Sequence, residues 1–193
     1  MKNLLFISLF FTVVAYSQNS FIVDKKGTKT IVRDDVINVI LIDKRISYSL
    51  VGKTWEKYIK FDDLDYANVN GKLLKSINLN KSKKSQVYFV LGENNEKTLI
   101  ARCITVTSSS PSGRMSYSSG QYEMYVIDKE ENIIESFNFL YSDKKQVELK
   151  ASVYALIKKH FSDCVKLMDL LDSVKVNDQI LSIFNNTEYI NCK

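Results

Sequence analysis

The chain has 193 residues, 45% hydrophobic and 25% charged, with 27 Lys and Arg against 22 Asp and Glu. A net charge of +5 is too small an excess to argue for nucleic acid as a partner. One histidine and three dispersed cysteines give no zinc-ligand spacing.

Residues 1–18, MKNLLFISLFFTVVAYSQ, begin with Lys2 and run apolar over 4–15, broken by Ser8 and Thr12. Ala15 and Ser17 then supply small residues at a cleavage step. This pattern predicts a signal peptide over 1–17, cut before Gln18; the alternative is an uncleaved anchor. The run falls short of the ~20 apolar residues of a comfortable membrane span, and no later segment of the mature chain is long enough. Residues 18–193 are read as a single exported α+β domain, periplasmic or secreted. A chain of that length buries about 70% of its unfolded surface.

The next segments alternate with a period of two and are rich in β-branched and aromatic residues, the strand signal. In chain order they are FIVD, VINVILI, ISYSL, the segment through YIKFDDLDY, QVYFVL, TLIARCITV, QYEMYVI and IIESFNF. Turn-type residues separate them: KKGTK, Asp43-Lys44-Arg45, Asn70-Gly71, GENNE and DKEEN. Short loops favour neighbouring antiparallel strands. The expectation is an antiparallel β-meander of roughly eight strands over 18–141.

GKLLKSINLNKSKKSQ gathers Lys72, Lys75, Lys81, Lys83 and Lys84. It reads either as a patch for an acidic glycan or anionic lipid, or as a solvated turn between strands. FDDLDYANVNG holds Asp62, Asp63, Asp65, Asn68 and Asn70, oxygen ligands suited to calcium. EF-hand spacing fails, because the twelfth position falls on Ile77, so a solvated strand-end turn is the reading preferred. TVTSSSPSGRMSYSSG holds the one proline, Pro111, and seven serines. It is expected to be a long mobile hairpin loop over 108–119 between two strands. Arg114, Met115 and Tyr117 at its tip, with Tyr122 and Trp55 on strands, are the candidate partner-binding residues. Long loops on rigid scaffolds often carry function. Tyr48, Tyr58, Tyr88 and Tyr125 are also assigned to strands, where sheet packing competes with ligand stacking.

The period changes after residue 141. VELKASVYALIKKHF spaces its apolar residues for a helix behind a Ser142-Asp143 cap. Ser162-Asp163 precedes a second helix, CVKLMDLLD, and Asn177-Asp178 a third, QILSIFNN. About three helices over 142–193 are thus expected to pack on the meander. If the second and third form an antiparallel pair, Cys164 and Cys192 approach one level. A Cys164–Cys192 disulfide with Cys103 buried and reduced is the arrangement preferred, although sequence alone fixes no connectivity.

The tail SVYALIKKHFSDCVKLMDLLDS, followed by ILSIFNNTEYINC, resembles secreted proteins of Bacteroidetes with a signal peptide and a strand-rich middle. The matching residues are Phe161, Asp163 and Cys164, then Phe184 and Asn185. Val165 stands where those sequences often carry proline. The resemblance covers about a quarter of the chain. It implies an exported β-rich protein and brings no activity with it.

For catalysis, His160 lies three residues from Asp163 and four from Cys164. No G-x-S-x-G elbow, P-loop, dinucleotide fingerprint or HExxH motif occurs. His160 is expected to be a half-exposed residue at a helix C-terminus. Glu123 and Glu135, on adjacent strands, are a possible glycosidase carboxylate pair. No catalytic residue, metal ligand or cofactor is assigned. The leading reading is an exported non-catalytic binding or accessory module for a protein, glycan or small apolar ligand. The alternatives are a carrier of an apolar or amphipathic small molecule between sheet and helices, and a small hydrolase.

Overall fold

A computed structural model describes residues 20–109, 116–140, 146–173 and 188–192. The expected signal peptide, the 110–115 tip, the Ser142-Asp143 cap and the third helix lie outside these residues.

Strands β1 (Phe21–Asp24), β2 (Lys29–Ile40), β3 (Arg45–Leu50) and β4 (Glu56–Lys60) are followed by β5 (Leu64–Val69) and β6 (Lys72–Ile77). Next come β7 (Gln86–Glu93), β8 (Thr98–Ser109), β9 (Ser116–Ile127) and β10 (Ile133–Leu140). Helices α1 (Gln146–Phe161) and α2 (Val165–Ser173) precede a short final strand, β11 (Ile190–Asn191). The α+β reading with a strand-rich antiparallel sheet holds, but with eleven strands and two helices among the described residues. YIKFDDLDY splits into β4 and β5 at residues 61–63. The lysine-rich segment contributes a strand, β6, rather than only a turn. Asn70 and Gly71 form its two-residue hairpin, with φ of 52° and 80°, the left-handed pair such turns require.

The strand order is β10-β9-β8-β7-β6-β5-β1-β2-β3-β4. Three residues, 61–63, join β4 to β5 although β3, β2 and β1 lie between them. In a flat sheet those strands stand roughly 19 Å apart, whereas the connection spans at most roughly 14 Å. The sheet therefore curls. β2 makes the corner: its register shifts between Val32 and Ile37, so one half pairs with β1 and the other with β3. Strands that bend at a bulge commonly pass from one sheet layer to another. Phe61 fills the corner with Ile22, Val32, Ile46, Leu64 and Leu74.

The other half of the sheet also coils. Asn80 N–H donates to the Glu131 carbonyl (3.0 Å), Asn78 N–H to Glu131 Oε2 (2.7 Å), and Ile133 N–H to Asn80 Oδ1 (2.9 Å). These groups follow β6 and β9, three strands apart, so opposite corners of β6–β10 meet. Ile77, Tyr88, Val90, Ile100 and Ile127 are enclosed within that coil. The helices cover the reverse face. Val153, Leu156, Ile157 and Phe161 of α1 pack on Leu99, Ala101, Met124 and Val126.

β11 pairs in parallel with β7 at Gly92 and Glu93, past the last rung of β6. The Cys164–Cys192 disulfide ties it to the start of α2. The expected pairing of the two cysteines is present, with Cys192 brought in by a strand. Cys103 is free and exposed, against the expectation of burial. Leu99 and Ala101, on the same face of β8, are closed off at 0% and 1% exposure; the cover ends one step short of Cys103.

Candidate functional site

A cleft of about 460 Å³ opens beside β1, β2 and the β5–β6 hairpin. It is lined by Phe21, Lys29, Ile31, Asn68, Glu188 and Tyr189. The β1–β2 hairpin sets Lys29 and Ile31 on one wall. The Lys29 ammonium lies 3.8 Å from the Phe21 ring centroid, and Tyr66 meets that ring edge-on. A cation held on an aromatic face loses little mobility on binding. Asn68, on the cleft wall, accepts the Gly71 N–H on its Oδ1 at 3.2 Å. Tyr189 is anchored by its own N–H to the Gly71 carbonyl. Burial, then the Glu93 charge and a hydrogen bond to its side chain, push the Tyr189 phenol above the ordinary tyrosine range. One cation, one carboxylate and an amide thus stand around the apolar side chains of Ile31 and Phe21, with Tyr189 beside them. Sequence reasoning missed this group. Its members come from two hairpins and the C-terminal end, and no local pattern links them.

The candidates taken from the sequence scatter. Arg114 and Met115 lie outside the described residues. Tyr117 is within β9, opposite Ser108. Tyr122 is a core residue, 8% exposed, stacked on Phe139 at 5.2 Å. Trp55 is 54% exposed but sits in the β3–β4 connection, with Lys53 over its ring. Tyr58 of β4 is 50% exposed and lies under Arg45. The expected 108–119 loop is shorter. Residues 108–109 and 116–119 continue the β8–β9 ladder, which leaves 110–115 between them.

His160 is correctly placed at the end of α1, but its side chain is only 8% exposed. Its partner is Glu135, not Asp163. Glu135 Oε2 lies 2.6 Å from His160 Nε2 and 2.6 Å from Lys159 Nζ. The bond from Lys159 first, then that from His160, lowers the Glu135 carboxyl below its usual range. Cys164 is held in the disulfide and offers no nucleophile. Glu123 and Glu135 point to opposite faces. Glu135 lies opposite Val126, on the helix side, and Glu123, three positions earlier on β9, faces the other way. Its carboxylate accepts from Arg102 Nε at 2.6 Å, and Arg102 Nη1 donates to Gln86 at 2.9 Å. Two carboxylates separated by a sheet cannot flank one glycosidic bond. Burial and the Glu123 charge raise the neighbouring Tyr125 phenol.

β7 and β8 part beyond the Phe89–Ala101 rung. An apolar cavity of about 120 Å³ lies there, lined by Val39, Leu41, Leu74, Val87, Phe89 and Cys103, among others. That is well under the ~300 Å³ lower bound of ordinary ligand pockets. Asp62 and Asp63 turn the β4–β5 corner, and the described residues contain no cluster of three metal-ligating side chains. Compared with known proteins, the chain matches no family model, no curated protein and no solved structure.

Proposed function

We propose that this is an exported, non-catalytic binding protein that holds a short glycan in the Lys29–Glu188 cleft. The observation that carries the reading is the make-up of that cleft. Its volume of about 460 Å³ falls within the range of small-ligand sites. Its polar groups stand around apolar side chains, and sugars present hydroxyls around an apolar ring face. Export is supported by the N-terminal signal pattern and is compatible with the disulfide, a bond of oxidising compartments. Among the described residues no helix is long and apolar enough to cross a membrane. The carrier alternative has less support, because the space between sheet and helices is filled by the α1 core. The hydrolase loses its cysteine nucleophile and its carboxylate pair to the geometry above.

The test is a glycan array probed with residues 18–193, followed by calorimetric titration of the best binder. Lys29→Ala and Glu188→Ala should each weaken binding about tenfold or more, the usual loss for a hydrogen bond to a charged group. An array without binders sinks the proposal. So does binding that both variants leave intact while Trp55→Ala abolishes it, which would move the site to the β3–β4 connection.

A further inference from the structure

The β8–β9 hairpin is longer than the strands on either side of it. β8 pairs with β9 from Thr98 to Ser109, but its ladder with β7 ends at Ala101. Arg102 still reaches Gln86 through its side chain. Beyond it, residues 104–109 have no strand beside them on the β7 side among the described residues. Among the described residues, β9 also has no partner on its other side past Gln121, the last residue opposite β10. Among those residues the outer part of the hairpin is a two-stranded ribbon, and such ribbons are marginally stable alone in water.

The sequence of the bare β8 edge is Ile-Thr-Val-Thr-Ser-Ser. It is rich in β-branched residues and carries no charge and no proline. Natural edge strands are normally guarded by lysine, proline or a bulge. Six uncharged residues, four of them β-branched, make a segment disposed to pair with another strand. The edge carries no charge of its own to oppose a second copy. Antiparallel pairing about a two-fold axis sets Ile104 against Ser109, Thr105 against Ser108 and Val106 against Thr107 of the second copy, with no charge facing another.

We infer that residues 104–109 of β8 form a self-pairing edge, through which two copies of this chain join into a continuous β9-β8-β8-β9 sheet. A two-fold contact of this kind uses the same patch on both copies and closes at a dimer. The inference does not depend on the ligand cleft, which lies at β1, β2 and the β5–β6 hairpin.

Sedimentation velocity on residues 18–193, from low micromolar to a few hundred micromolar, tests it. A monomer–dimer equilibrium is expected. Val106→Lys, which puts a charge in the centre of the edge, should weaken it by about tenfold or more. Val106→Thr, which keeps the edge neutral and β-branched, should retain it. Melting curves followed by circular dichroism show whether the lysine variant folds. If it does not, Thr107→Lys on the same edge replaces it. A wild-type chain that stays monomeric throughout overturns the inference, and so does a dimer that folded lysine variants leave unchanged.

Discussion

Gly92 shows how one residue without a side chain fixes several parts of the fold. It pairs with Ile190 of β11. A Cβ at this position would lie 3.4 Å from Leu167 Cδ2, 3.6 Å from the Ile190 carbonyl oxygen and 3.9 Å from Cys192 Sγ. These are contact distances for one methyl group and leave no room for a branched one. Gly92→Ala should therefore be tolerated. Gly92→Val should destabilise by about 1–3 kcal/mol through overpacking, read from urea unfolding; equal stability of the two variants would refute this packing. The sequence suggested only a turn here, since GENNE looks like a break between strands. The strand continues through Gly92 and Glu93, which pair with Leu99 and Thr98 of β8 on one side and with β11, from almost a hundred residues away, on the other.

At the scale of elements, α1 is held on β10 by Glu135. Lys159 and His160 both converge on its Oε2. The carboxyl is held below its ordinary value of 4.5, so the folded state prefers it ionised. Its contribution to stability is then present above the ordinary glutamate range and disappears as pH falls through the lowered value. Wild type should melt above Glu135→Gln at neutral pH, with the gap closing on acidification; melting curves between pH 3 and 7 check this. A gap that persists at pH 3 would show that the glutamine disturbs packing instead. The helix itself was legible in VELKASVYALIKKHF, because its apolar stripe recurs at helical spacing. Its partner was not. Asp163 is near His160 along the chain, whereas Glu135 reaches it through the placement of α1 across β10.

For the whole molecule, the decisive feature is how the ends are tied to a curled sheet. The disulfide closes a loop of 28 residues and holds β11 on β7. A loop of that length corresponds to about 3.5 kcal/mol of chain entropy removed from the unfolded state. Reduction, or Cys164→Ser with Cys192→Ser, should lower stability toward that amount in urea unfolding; an unchanged midpoint would mean that the tail contributes nothing. By itself the sequence determined the class of this protein: period-two segments gave strands, period-3.6 segments gave helices, and Asn70-Gly71 gave a hairpin. Those are local properties, set by backbone geometry over a few residues. The sequence favoured the Cys164–Cys192 pair without fixing it, and the structure supplied the pairing. Tertiary structure decided that β1 lies between β2 and β5, that β2 turns a corner, and that Glu123 and Glu135 face apart. It also assembled the cleft from Lys29, Asn68, Glu188 and Tyr189. Each of these depends on how far the sheet curls, and curl arises from strand twist, bulges and core volume summed over the whole chain, which no single segment encodes.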